Sequence, residues 1–449
     1  GTMSAIKNRE RDNESPRLGR DRRVCRSDCS SCYTALPCSP DCACSMTSRI
    51  YRPLRGIKVL SFELAFALPA GTRTLAELGA EVVRVSRRGG NPYARYMGVV
   101  DGVLYDKASV SIDLTTARGS EIASALALEA DVVCSNFRPG VLDKYGLSVA
   151  RLRSIKPSLI CLQLSGYGTP GPWAEFPAYG PSTEAAGGLN RLLVDEGELP
   201  PRIGSGVFTD QLAGRYAALA VVAALRRRSE SGEGAVIDLS MSESVTHLLG
   251  SLMVQSAMTG QVPKAERNRD PQYVPQGVYP CSGDDQWIAI SVTSDSAWQR
   301  LTEIVSRSEL DEDMSCLERA RRHDDIDTVL CKWTVKQNKD ELAQQLQACG
   351  IAAAPVRTVE DSVQDPQFQA RGAITNVRHR KPILGYRAHP HPPIPWRLVG
   401  RRRKKLTGYR GGGQDNVTVL NHWLGYAREQ VRELEREGVL GPAGSHDIA

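Results

Sequence analysis

From Gly56 onward the chain alternates short apolar runs with stretches in which apolar residues recur every three to four positions. The runs Gly56–Phe62, Glu81–Val85, Ser109–Asp113, Asp131–Cys134 and Leu159–Leu164 are bounded by turn or polar residues and have the length of buried strands. Between them Ala70–Leu78 and Gly119–Glu129 carry helical spacing, and Gly79 stands where a helix C-cap belongs. A helical run follows Asp210 through Leu225, and Ala235–Leu239 reads as one more strand. Short apolar strands that alternate with helices predict a parallel sheet covered on both faces. The expected fold is therefore α/β, with a Rossmann-like large domain over residues 54–254. The first strand runs into Glu63-Leu-Ala-Phe-Ala-Leu-Pro-Ala-Gly71, which has no G-x-G-x-x-G pattern, so an ordinary dinucleotide site is not expected.

The texture changes after residue 254. Residues 255–275 are polar and irregular and read as a linker. Val278–Tyr279 and Trp287–Val292 suggest a hairpin around Ser282–Asp285, and helices are expected over 296–304 and 339–349. Residues 276–375 thus form a smaller α+β domain. Residues 376–411, rich in Pro, Arg and His, read as a second long linker, and 412–449 as a C-terminal segment that returns to the large domain, helical over Asn416–Glu437. At the other end residues 1–45 are polar and lack hydrophobic periodicity, which predicts a disordered, Cys-rich leader. Its Gly1-Thr-Met3 reads as a tag remnant, and Met46 as a candidate native start.

Composition narrows the function classes. A chain of 449 residues is too long for one compact core and fits two lobes or more. A net charge of +6 is mild for this length; it gives no reason to expect nucleic acid and suits a ligand with several phosphates. The longest aliphatic run, Ala217–Leu225, is nine residues, whereas a membrane span needs about twenty. No membrane association and no secretory signal are therefore expected. Six of the twelve cysteines lie between Cys25 and Cys44, and the other six are scattered in apolar surroundings as reduced thiols suited to a cytoplasmic protein. Cys29-Ser-Ser-Cys32 could contribute to a zinc site, but no regular pair spacing repeats and no histidine is near, so no metal is expected.

Several segments carry a resemblance. They are Leu60-Ser-Phe62 with Ala76–Val85, Asp131-Val-Val-Cys-Ser-Asn-Phe-Arg-Pro-Gly140, Ser165-Gly-Tyr-Gly-Thr-Pro-Gly-Pro172, Gly204–Asp210 leading into Gly214, Ser231–Asp238, and Gln276–Cys281. In this order and spacing they resemble the class III CoA-transferases of the CaiB/BaiF type, relatives of formyl-CoA transferase and α-methylacyl-CoA racemase, over about residues 54–445. The resemblance implies an enzyme whose substrates are an acyl-CoA and a free carboxylic acid, with coenzyme A as the group exchanged and two chains interlocked as a homodimer. It implies Asp210 as the nucleophile, passing through an aspartyl anhydride and an aspartyl-CoA thioester. It also implies CoA contacts at Arg87, Lys107, Ile112, Asn136, Phe137 and Lys144, and acyl-side contacts at Phe66, Ala67, Tyr179 and Glu184. Read without the resemblance, Asp210 precedes a long apolar helix, where it suits either an N-cap or an anion held by the helix dipole.

Some positions depart from the family pattern. Leu68 replaces a usual glycine, Gly180 replaces a frequent acid, and the small domain has no glycine-rich loop. Gly411-Gly-Gly-Gln414 is expected to be a bend rather than a phosphate cradle. Two alternatives stay open: a catalytically inactive subunit of a heteromeric CoA-transferase, and a 2-methylacyl-CoA racemase, for which Tyr179 stands where an acid/base histidine belongs.

Overall fold

The computed structural model describes residues 50–87, 102–194, 197–200, 207–262, 268–270, 272–305, 309–383 and 386–442. The expected leader with its six cysteines and the Gly204-Ser-Gly206 part of the fourth motif lie outside the described residues.

Six parallel strands form the main sheet: β1 Lys58–Phe62, β2 Glu81–Ser86, β3 Ala108–Ser111, β4 Val132–Ser135, β5 Ile160–Ser165 and β6 Val236–Ser240. Their order is β3-β2-β1-β4-β5-β6. Winding runs outward from β1 to β3 and then restarts at β4 on the other side, so the topological switch point lies between β1 and β4. Successive side chains feed opposite faces. Leu60, Val83, Val110 and Val133 enter one core with helix α2, Ala117–Glu129, while Val59, Val82, Val132 and Ile160 enter the other with α1, Ala67–Glu77. The further helices of this lobe are α3 Val149–Ile155, α4 Gly180–Ala186, α5 Phe208–Ser231, α6 Met241–Leu248 and α7 Gly250–Thr259.

Helices α1 and α5 cross where neither has a side chain. A Cβ on Gly214 would stand 2.7 Å from the Ala67 carbonyl oxygen and 2.9 Å from the Gly71 nitrogen, and one on Gly71 would stand 2.8 Å from the Gly214 carbonyl oxygen. This backbone-level contact is what two facing glycines permit.

The smaller lobe is a three-stranded antiparallel sheet, β7 Gln276–Pro280, β8 Trp287–Ser291 and β9 Ala352–Pro355, with its own core around Trp298, Leu301, Leu330 and Leu346. Its helices are α8 Asp295–Val305, α9 Cys316–Arg321, α10 His323–Thr334 and α11 Lys339–Ala348, followed by two single-turn helices, α12 Val359–Gln364 and α13 Pro366–Arg371. Residues 376–411, read as a linker, contain most of a hairpin, β10 Thr375–Ile383 with β11 Tyr386–His391. Val377 on that hairpin packs on buried Tyr105, a contact across more than 250 residues that local composition cannot report.

The C-terminal helix expected over Asn416–Glu437 is two helices, α14 Asn416–Leu424 and α15 Arg428–Arg436, broken at Gly425 with φ of +74°. This segment closes the exposed sheet edge at β3. The Ser109 N–H donates to Asp415 Oδ2 at 2.9 Å and the Ser111 N–H to Asn416 Oδ1 at 3.0 Å, pairing donors that an open edge would leave bare. Gly411–Gln414 is a turn entering α14, as expected. Among the described residues no helix is long and apolar enough to cross a membrane.

Candidate active site

In an open parallel sheet the segments that leave the C-terminal ends of the strands line a crevice at the switch point. Here those segments follow β1, β4 and β5 and enclose a cleft of about 360 Å³, lined among others by Ala65, Ala67, Phe137, Tyr179, Asp210 and Met241. A second cavity of about 160 Å³ adjoins it, sharing Leu64, Ala65 and Phe137, and is bordered by Glu63, Arg84, Ser86 and Arg87. The wall between the two is held by Asn136. Its side-chain oxygen accepts from the Leu64 N–H at 2.8 Å, and its amide donates to the Leu64 carbonyl at 2.7 Å. The next residue, Ala65, has φ of +56°, a left-handed backbone that costs a non-glycine residue about 1–2 kcal/mol. Asn136 supplies the two fixed bonds that hold the loop in this conformation.

Asp210 is the third residue of α5 rather than its cap, because the helix begins at Phe208 and Val207 occupies the cap position. The side chain is buried, at 6% exposure. The Gly71–Gly214 crossing brings the first residue of α1 against it, and the carboxylate is stabilised by the backbone N–H groups of Asp210 and Ala67. Both N–H groups belong to first turns that no intrahelical carbonyl satisfies. The carboxylate thus faces the positive ends of two helices. Oδ2 has no hydrogen-bond partner. Burial nevertheless pushes the Asp210 carboxyl up to about 6; its own N–H opposes the rise, nearby Glu184 adds to it, and the Ala67 N–H opposes it.

The shift has a stability consequence. The folded pKa lies above the ordinary value of 3.8, so this group stabilises the fold below about pH 4 and that contribution is lost as pH rises through about 6. Asp210→Asn is expected to be more stable than wild type by about 2 kcal/mol at pH 8, with the difference vanishing near pH 4. Urea midpoints at the two pH values check this.

Residues 54–404 match the sequence profile of the CoA-transferase family III. The chain belongs to this family. It is 31% identical over 409 residues to succinyl-CoA–D-citramalate CoA-transferase of Chloroflexus aurantiacus, a match covering 87% of this chain and 98% of that protein. It is 30% identical to the beta subunit of succinyl-CoA–L-malate CoA-transferase of the same organism, covering 86% and 98%. Its fold matches a solved CAIB/BAIF family protein from Brucella suis with a TM-score of 0.76 at 27% identity, over 83% of this chain and all of that one. The class III CoA-transferase assignment and the CaiB/BaiF architecture read from the motifs therefore hold.

The residues nominated by the CoA-transferase resemblance fall into two groups. Ala67, Asn136, Phe137, Tyr179 and Asp210 line the larger cleft, and Phe137 and Arg87 line the smaller one. Tyr179 stands at the rim, 60% exposed, as the residue preceding α4. The other nominees lie elsewhere. Lys107 is enclosed in the protein, its ammonium donating to Glu63 Oε1 at 2.7 Å, the Pro69 carbonyl at 2.8 Å and Thr72 Oγ1 at 2.6 Å. Burial pushes it down to about 8 against the pull of Glu63, and with its donors committed it is not placed to meet a phosphate. Ile112 is a core residue of the sheet, and Lys144 is an exposed side chain on the short turn Leu142–Tyr145, bordering neither cavity. Phe66 packs beside Leu104 and Tyr409, and Leu68 points into the core under the sheet, so neither walls the cleft. Glu184 is fully buried behind Asp210.

Sequence reasoning passed over Arg84 and Arg138, which border the small and large cavities respectively. Arg84 lies inside a strand, where a cation suggests nothing, but it follows the strand up to the crevice and is anchored there by Ser109 and Tyr409. Arg138 sits inside the quoted Asn-Phe-Arg-Pro-Gly motif and was legible there. Among the described residues no three His, Cys, Asp or Glu side chains converge as metal ligands.

Proposed function

We propose that the protein transfers CoA from an acyl-CoA to a free carboxylic acid, with Asp210 as the covalent nucleophile. The supporting observation is that Asp210 is the one carboxylate bordering the large cleft among the described residues, and its Oδ2 is uncommitted. The carboxylate attacks the thioester carbon; the C–S bond breaks and its electron pair leaves on the CoA sulfur, giving a mixed anhydride. The thiolate then attacks the aspartyl carbonyl, releasing the first acid and leaving an aspartyl-CoA thioester. A second acid attacks this thioester, and the expelled thiolate returns to the new anhydride's acyl carbon. Asp210 is regenerated, and no proton is consumed. Leu164, Met241 and Phe137 supply the apolar part of the lining beside Asp210, which limits water at the two anhydrides and the thioester between them.

The pantetheine end enters the large cleft, while Arg84 and Arg87 at the adjoining cavity offer charge to the CoA phosphates. Racemisation is disfavoured because, among the described residues, the lining holds no histidine to serve as the second acid/base group. Hydroxylamine added during exchange, followed by peptide mass spectrometry, is expected to leave a hydroxamate on Asp210. Exchange that continues with residue 210 unmodified would remove this reading.

A further inference from the structure

Among the described residues two charged side chains border the large cleft, Asp210 and Arg138. The uncharged polar groups of its lining are largely committed. Asn136 is bonded to Leu64 through both ends of its amide, at 2.8 and 2.7 Å, and Ser165 Oγ accepts from the Gly168 N–H at 2.9 Å. Arg138 is not committed: among the described residues its guanidinium has no hydrogen bond, ion pair or ring contact, which leaves its fork of N–H donors available. An arginine facing bulk water needs no ligand, but this one borders a concave site whose other charge is the proposed nucleophile.

The main chain that carries Arg138 is fixed on both sides. Gln163 Nε2 donates to the Phe137 carbonyl at 2.5 Å, and the Val141 N–H donates to the Arg138 carbonyl at 3.2 Å. The Phe137 ring stands edge-on to buried Phe62 with centroids 6.5 Å apart. Pro139 follows and disfavours a helical backbone at Arg138. The place of Arg138 also separates it from the cations already assigned. Arg84 and Arg87 border the smaller cavity, whereas Arg138 borders only the larger of the two. Within the larger one Asp210 lies at the floor, 6% exposed, and Arg138 is exposed at the rim.

We propose that Arg138 is a specificity-determining residue that takes the second carboxylate of a dicarboxylic acid, whether the acid is free or joined to CoA through its other carboxyl. The proposal rests on the CoA-transfer reading of this cleft. The reacting carboxyl must come down to buried Asp210, so what is left for a cation at the rim is the far end of the same molecule. An alkyl end gives that cation nothing to bind. A carboxylate there can accept two parallel N–H···O bonds from the planar guanidinium. A site with such a donor discriminates against the analogue that lacks the acceptor, because the donor is then left without its ligand.

The test uses CoA thioethers, which Asp210 cannot open, titrated calorimetrically into the full chain. A series from S-(2-carboxyethyl)-CoA to S-(5-carboxypentyl)-CoA is compared, length by length, with the matching S-alkyl-CoA. At the best-fitting length wild type is expected to bind the carboxylate form about tenfold or more tighter than the alkyl form. In Arg138→Gln that preference is expected to shrink to about threefold or less. Arg138→Lys keeps the charge without the fork and is expected to fall between the two. The variants remove no bond of the folded chain among the described residues, so misfolding does not confuse the comparison. No turnover is needed, so the result stands even if hydroxylamine never marks Asp210, and failure of the covalent route is separable from failure of this proposal. A carboxylate preference missing from wild type at every length, or kept in Arg138→Gln, overturns the proposal. An equal loss for every ligand, free CoA included, would put Arg138 on a CoA phosphate and overturns it as well.

Discussion

Asp210→Ala is expected to lower CoA exchange between an acyl-CoA and a free acid by on the order of 10⁴-fold or more, with acyl-CoA binding changed little. The reason is the absence of a substitute. Among the described residues no other carboxylate borders the cleft, and Glu184 is sealed behind it. Water could attack the thioester, but that yields hydrolysis rather than exchange. Binding is spared because the cations at the neighbouring cavity, Arg84 and Arg87, are untouched. Mass-spectrometric exchange between isotopically labelled acid and acyl-CoA, with binding followed by calorimetry, measures both. Exchange within about tenfold of wild type would exclude a covalent role for this side chain.

Gly214→Ala is expected to cost about 2 kcal/mol of stability and at least about tenfold in exchange. Helix propensity alone predicts the opposite, since alanine is favoured over glycine by about 1 kcal/mol in a helix interior. Packing decides the sign. The new Cβ would lie 2.7 Å from the Ala67 oxygen, 2.8 Å from the Ala70 Cβ and 2.9 Å from the Gly71 nitrogen, and two of these are backbone atoms that cannot rotate away. Helix α1 must therefore move off α5. The Ala67 N–H moves with it and leaves the Asp210 carboxylate with one donor fewer. Gly250→Ala is the control, because nothing lies within 4 Å of its Cβ position and stability should hold or rise. Urea midpoints and exchange rates of the two variants give the comparison. A Gly214→Ala protein as stable and active as wild type would show that the close crossing has no part in the site.

What could be read along the chain was whatever depends on near neighbours. Each of the five apolar runs of the first lobe is a strand of the parallel sheet, within two residues at its ends. Errors arose where one residue type serves two purposes. The helix expected from Ala70 begins at Ala67, because a proline at position 69 still lies in the first turn, where its missing N–H is not needed. The helix expected to end at Leu225 continues to Ser231 through exposed, charged residues, with Arg226 and Glu230 paired at 2.6 Å. Strand β9, Ala352–Pro355, lacks the branched residues that mark strands, and forms because β8 offers it an edge.

The site divides along the same line. The order of elements, the motif around Asn136 and the aspartate that opens a long helix are local facts, and the residues alone determined them. Whether a given cation meets a ligand or another side chain was decided only in three dimensions. Lys107 was nominated for phosphates, yet it neutralises Glu63, a residue 44 positions away whose proximity no local pattern encodes. Asp210 acquired its two helix ends, its burial and its neighbour Glu184 in the same way, from the crossing of α1 and α5 and the packing of α4. Periodicity and propensity act over a few residues, whereas the energy of a buried charge depends on every group folded around it.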